Sequence, residues 1–141
     1  MADAIYTVEA LSTGGGRDGH VATADKSVDL NMAPPRELGG SGEGNNPEQL
    51  FAAGYAACFH SALQGAARSK KVAIEGSSVG ARVSLVRAGE ESIDLAVDLE
   101  VILPGIESEQ ANELADLAHQ MCPYSRATNG NIKVSVSVAQ D

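Results

Sequence analysis

Tryptophan is absent, aromatic residues make up only 4% of the chain, and cysteine occurs just twice, at positions 58 and 122. With few rings available, alanine, valine and leucine must do most of the packing, and the apolar share of 43% is ordinary for a globular protein. Two cysteines are too few for the disulfide framework of a small secreted domain. In a reducing cytosol they are normally free thiols, so any pairing between Cys58 and Cys122 is expected to be chemical and transient. Basic residues are also scarce. Ten Lys and Arg against nineteen Asp and Glu leave a formal net charge of −9, the wrong sign for neutralising phosphates or anionic headgroups. No nucleic acid and no membrane is therefore expected as a partner. The longest nearly apolar run, Leu50 to Phe59, is roughly half of what a bilayer span requires. Met1-Ala2-Asp3-Ala4 has neither the basic nor the apolar region of a signal peptide. These absences predict a soluble, cytoplasmic protein whose acidity serves solubility.

What is present has the size and pattern of one domain. A chain of 141 residues hides about two thirds of the surface its unfolded form exposes, and neither a repeat nor a linker divides residues 1–141. Ile5 to Leu11 alternates in the manner of a strand, although neither face is purely apolar. Gly14-Gly15-Gly16-Arg17-Asp18-Gly19 is turn chemistry, and strand-like pieces at His20–Thr23 and Val28–Met32 suggest an N-terminal hairpin or meander. After a loop rich in Pro and Gly, Ala33 to Asn45, comes the clearest helix start. Asn46 suits the N-cap, Pro47 the first helical position, and Gln49 the position that reaches back to the cap. The helix should run from Pro47 to about Arg68, and the apolar residues all round its first half predict burial on every side. Val79–Arg87 and Ser92–Leu103 read as a strand pair. A second helix, beginning near Glu107–Ser108, carries Ala111, Leu114, Ala115, Ala118, Met121 and Cys122 on one stripe. Pro123 should stop it and push Cys122 toward an extended backbone. Ile132, Val134, Val136 and Val138 alternate with polar residues in a last, half-buried strand.

A free cysteine on a buried helix is most often a small hydrophobe, and position alone favours that reading for both thiols. Cys58 sits some three turns into its helix, where the dipole has faded, so a reactive thiolate there needs a cation from elsewhere. Arg17, isolated in its glycine loop, and Arg36 are the candidates. Ionisation has a ceiling: a thiol of ordinary pKa is already ~3% thiolate at pH 7, so complete ionisation gains at most about thirtyfold. Further rate must come from orienting the substrate and stabilising its leaving group, and an arginine fork serves both. Other chemistries fit less well. Gly14-x-Gly16-x-x-Gly19 matches a dinucleotide fingerprint but is followed by a strand where a helix is required. His119 and Cys122 share a helix face, yet no spacing here is that of a zinc site. His60, two residues from Cys58, points away from it.

Several blocks resemble the organic hydroperoxide resistance proteins, within the larger OsmC group. They are Gly15-Gly16-Arg17-Asp18-Gly19, Pro35-Arg36-Glu37-Leu38-Gly39-Gly40, the run from Asn46 to Tyr55, Ala57-Cys58-Phe59, Cys122-Pro123-Tyr124-Ser125, Ala127-Thr128 and Gly130-Asn131-Ile132. The resemblance implies an α+β fold, with antiparallel sheets around a long buried central helix in an intertwined homodimer. It also implies a thiol peroxidase without metal or organic cofactor, acting on organic hydroperoxides and recharged by dihydrolipoamide or a lipoylated protein. By position, Cys58 is similar to the peroxidatic cysteine and Cys122 to the resolving one, with Arg17 and Glu48 as polar partners of the thiolate, paired as a bidentate ion pair. Asn45 departs from the usual threonine and is expected to affect only the loop. In an unbroken helix, the ten-residue separation of Glu48 and Cys58 means about 15 Å of rise and faces about 80° apart. Either the helix bends near Gly54, or Glu48 serves the thiolate of a second subunit, which is the preferred reading. An OsmC-type peroxidase of broader substrate use and a non-catalytic peroxide sensor are the alternatives.

Overall fold

Glycine governs the first turn of the chain. Strand β1 (Ala10–Gly14) pairs antiparallel with β2 (Gly19–Thr23), which pairs antiparallel with β3 (Asp29–Asn31). In the intervening turn Gly14 and Gly16 take φ values of 79° and 72°, the left-handed region that glycine enters without penalty. A Cβ on Gly19 would lie 2.2 Å from the Thr13 carbonyl oxygen. The glycines therefore shape a hairpin turn that lifts Arg17 outward, and the dinucleotide reading has no helix to support it. The computed structural model describes residues 2–139, which fall into two compact units dividing between Leu50 and Phe51.

In the first unit the expected strand at Ile5–Leu11 lies later in the chain, at Ala10–Gly14, with all its residues exposed. The reason is the one visible in its composition: without a purely apolar face, residues 5–9 gain nothing from alternating, and Ile5, Tyr6 and Val8 remain exposed. The Pro/Gly loop contains a single 3-10 turn, Arg36–Leu38. Helix α1 (Pro47–Ser69) begins with the predicted capping box: Asn46 Oδ1 accepts from the Gln49 N–H at 2.9 Å, and Gln49 Oε1 accepts from the Asn46 N–H at 3.1 Å. Asn45 adds a third bond, its side-chain amide donating to Gln49 Oε1 at 3.0 Å. Asn45 thus takes part in the helix start as well as in the loop.

The second unit packs the body of α1 against a mixed sheet. Strands β4 (Ser78–Arg87) and β5 (Ile93–Ile102) form an antiparallel hairpin, and β6 (Lys133–Ala139) lies parallel to β5. The parallel pairing departs from purely antiparallel sheets. Its cause is the connection, since helices α2 (Ser108–Met121) and α3 (Pro123–Thr128) carry the chain back to the start of the sheet. Tyr55, Phe59, Leu63, Ala66 and Ala67 of α1 meet Val97, Leu99 and Val101 of β5 and Ala111, Leu114, Ala115 and Ala118 of α2 in one core. Each fully buried large apolar side chain there contributes about 1.5–3 kcal/mol. Burial of α1 is one-sided in the single chain, because Ala53 and Ala57 remain exposed. Met121, expected on the α2 stripe, is 44% exposed. Pro123 ends α2 as predicted and then opens α3 as its first residue, a role for which its fixed φ and missing N–H suit it equally well.

Candidate active site: a thiol pair and an arginine–glutamate fork

Cys58 lies on α1 and is half-buried; Cys122, fully buried, is at once the last cap of α2 and the first cap of α3. Its φ of −67° and ψ of 123° are the extended conformation that the following proline favours. The fold brings the two sulfurs to 3.5 Å, with the Cys122 thiol donating toward Cys58 Sγ. This is outside the ~2.05 Å of a covalent bond, so the pair is a dithiol one small movement from a disulfide.

Burial, the largest influence, pushes the Cys58 thiol above its ordinary value, while the backbone N–H of Tyr124 opposes it by bonding the sulfur. The neighbouring Cys122 thiol raises it further. Cys58 is the less buried of the two sulfurs and the Cys122 S–H is aimed at it, so Cys58 is the cheaper place for a negative charge. Around α1, Phe51, Tyr55 and Tyr124 form an aromatic cluster with ring centroids 5.6–5.9 Å apart. Gly54 belongs to this packing, since a Cβ there would come within 2.7 Å of the Tyr124 hydroxyl. The glycine thus marks a close approach, and α1 continues unbroken through it.

The first unit supplies the polar pair. Arg17 Nη1 and Nη2 donate to Glu48 Oε1 and Oε2 at 2.7 and 2.9 Å, a bidentate fork. The hydrogen bond from Arg17 holds the Glu48 carboxyl below the usual carboxylate range, and that to Glu48 raises the guanidinium further still. Arg36, the other candidate cation, instead donates from Nε to the Ser41 carbonyl of its own loop at 3.2 Å.

Four residues come together that sequence reasoning did not combine. Ser125 Oγ lies 2.7 Å from His119 Nδ1 and 2.8 Å from Tyr55 Oη, and Tyr55 Oη lies 3.2 Å from Thr128 Oγ1. A tyrosine inside an otherwise apolar helix, and two hydroxyls three residues apart after Pro123, were the available signals. The histidines are engaged elsewhere than in metal binding: His60 Nε2 meets Ser77 Oγ at 2.9 Å and His119 meets Ser125. Among the described residues no group of three or more His, Cys, Asp or Glu is placed to hold a metal ion. No helix among them is long and apolar enough to cross a membrane.

Comparison with known proteins shows which chains this one is similar to. The family described as OsmC-like protein matches residues 40–137. An organic hydroperoxide resistance protein of Xanthomonas axonopodis pv. citri is 44% identical, covering 96% of this chain and 95% of its own. The organic hydroperoxide resistance protein OhrA of Bacillus subtilis is 41% identical over 99% of this chain and 100% of its own. Among solved structures, an organic hydroperoxide resistance protein from Legionella pneumophila is similar with a TM-score of 0.92 at 46% identity, covering 98% of this chain and all of that one.

Proposed function

Because the chain belongs to the OsmC-like family and, within it, to the organic hydroperoxide resistance proteins, we propose that it detoxifies organic hydroperoxides as a cysteine-based peroxidase. Cys58 is the attacking thiolate and Cys122 the resolving thiol. The 3.5 Å approach of the two sulfurs carries this reading. The Cys58 thiolate attacks the outer peroxide oxygen, the O–O bond breaks, and the alkoxide leaves as the alcohol after taking a proton. Cys58 is then a sulfenic acid. Cys122 sulfur displaces its hydroxyl as water, closing the disulfide, and an external dithiol reduces that bond while becoming a disulfide itself. A lipoyl dithiol, free or on a lipoylated protein, is the reductant we infer from the family resemblance. The chemistry needs no metal or organic cofactor.

From the family resemblance we infer that Arg17 supplies the cation a buried thiolate requires; its bidentate bonds to Glu48 fix the guanidinium plane, which suits it to orient the peroxide and receive developing charge on the departing oxygen. The partly exposed rings of Phe51 and Tyr124, 5.9 Å apart, favour aryl and fatty-acid peroxides over hydrogen peroxide. A homodimer is supported by the apolar groups that one chain leaves uncovered, notably Ile5, Tyr6, Val8, Ala53 and Ala57. Since α1 is unbroken between Glu48 and Cys58, a site shared across that dimer is the arrangement we favour. Mixing inactive Cys58→Ser and Glu48→Ala chains should restore activity; heterodimers without activity would rule out sharing.

The central test adds one equivalent of cumene hydroperoxide to the reduced protein, then counts free thiols and maps disulfides by mass spectrometry. Loss of both thiols and an intramolecular Cys58–Cys122 bond are expected. Two unmodified thiols would overturn the reading.

A further inference from the structure

The sulfurs are one of two rungs that join the same helices. Tyr55 precedes Cys58 on α1 by three residues, which places both on one face. Ser125 follows Cys122 by three residues, in α3. The Tyr55–Ser125 hydroxyl contact of 2.8 Å therefore runs beside the Cys58–Cys122 contact of 3.5 Å. The residue between the helices needs such support. Cys122 occupies the break between α2 and α3, where its N–H bonds back to Ala118 and its carbonyl accepts from the Arg126 N–H, so each half of the break is anchored only to its own helix. Ser125 Oγ closes that gap from two directions, meeting His119 of α2 and Tyr55 of α1.

One choice of donors keeps every bond of this chain. Thr128 Oγ1 donates to the Ser125 carbonyl at 3.2 Å, which leaves its oxygen to accept from Tyr55. Tyr55 then accepts from Ser125, and Ser125 from the Nδ1–H tautomer of His119. Reversing the chain would forfeit the bond to the Ser125 carbonyl. Tyr55 and Ser125 are almost wholly buried, at 0% and 1% exposure, so water cannot readily replace either partner.

We propose that the His119–Ser125–Tyr55–Thr128 chain is a positioning device for Cys122, holding the α2–α3 break against α1 so that the resolving sulfur lies within reach of Cys58. It rests on the peroxidase reading above and deepens it. None of these four side chains hydrogen-bonds to a sulfur among the described residues, so they act on the second chemical step, disulfide closure, and not on the first.

Rapid mixing with cumene hydroperoxide separates the two steps, with dimedone trapping the sulfenic acid and thiol counting following closure. In Tyr55→Phe the remaining polar groups keep partners, so the chain folds and only the rung is lost. Sulfenic acid should form at the wild-type rate, whereas closure should slow about fivefold, the factor one neutral hydrogen bond of ordinary net strength supplies. The dimedone-trapped fraction should rise accordingly. Val101→Ala, a core truncation on β5, serves as the control for general loosening and should not change the ratio of the two rates. Closure at the wild-type rate in Tyr55→Phe, or equal slowing of both steps, overturns the proposal. A wild-type protein that forms no disulfide removes the peroxidase reading itself and this proposal with it.

Discussion

Replacing Glu48 by glutamine should separate what the Arg17–Glu48 fork does for stability from what it does for chemistry. The substitution keeps the size of the side chain but turns one of two accepting oxygens into an NH2 group facing Arg17 Nη2, which donated across 2.9 Å. The Arg17 side chain is 46% exposed and that of Glu48 16%, so solvent screens the pair and its share of stability should be about 1 kcal/mol or less. For a chain of this length that is a fall in melting temperature of about 3–4 °C or less. The effect on rate should be larger. A charge-assisted hydrogen bond is worth about 1.5–3 kcal/mol; if the guanidinium must be held in one orientation to stabilise the departing oxygen, kcat/KM for cumene hydroperoxide should drop roughly 10–150-fold. The pH dependence has a definite sign. The Glu48 carboxyl is depressed in the folded protein by its bond to Arg17, so its stabilisation is complete above the ordinary glutamate value of about 4.3 and is lost as pH falls through the lower folded value. The difference in melting temperature between wild type and Glu48→Gln should therefore be constant from neutral pH to about 5 and shrink only in stronger acid. A steady-state assay with a lipoyl dithiol and a thermal melt, run on the same samples, measure both quantities. A variant within twofold of wild-type kcat/KM would refute the reasoning, whatever its stability.

Two substitutions test the local structure around the site. Asn46→Ala removes the oxygen that accepts the Gln49 N–H and should cost about 1 kcal/mol in urea unfolding; a change below a few tenths would mean that Asn45 alone secures the helix start. Gly54→Ala gains about 1 kcal/mol of helix propensity but forces the Tyr124 ring away from a contact of 2.7 Å. Stability should consequently stay within about 1 kcal/mol of wild type while the near-ultraviolet circular dichroism of the tyrosines changes; an unchanged spectrum would show that the ring does not pack there.

Elements whose ends are written in local chemistry were legible in the sequence. Asn46 and Gln49 specify the start of α1 through bonds to each other around Pro47, and the valines of β6 alternate because one face of that strand meets the core. Elements that depend on distant surfaces were harder to read. Ile5–Leu11 alternates, yet nothing in the single chain covers it, so pairing begins only at Ala10. Pro123 reads equally as a stop and as a start, and α3 becomes visible only once Ser125 and Thr128 are known to face Tyr55. The thiols show the same division. The sequence places Cys122 beside a proline and therefore in an extended backbone, but the approach of Cys58 and Cys122 depends on α1 and the α2–α3 break meeting across the core. Within the apolar first half of α1, Tyr55 reads as one more core ring, which conceals its hydroxyl as the partner of Ser125.

On the peroxidase reading, burying the attacking thiol works against the chemistry, since burial raises the Cys58 value and lowers its ionised fraction. The magnitudes resolve this. Ionisation can change the rate by at most about thirtyfold from an ordinary thiol, while a well-oriented reaction partner can contribute several kcal/mol. A sulfur fixed on α1, next to an aromatic cluster and opposite a second sulfur at 3.5 Å, gives up part of the smaller factor for the larger one. The loss is recoverable through a cation, and the Tyr124 amide already opposes it within the unit that holds both thiols. Arg17→Ala should therefore raise the pH at which Cys58 becomes reactive, read as the midpoint of iodoacetamide alkylation in a Cys122→Ser background. An unshifted midpoint would leave the fork with orientation as its sole contribution.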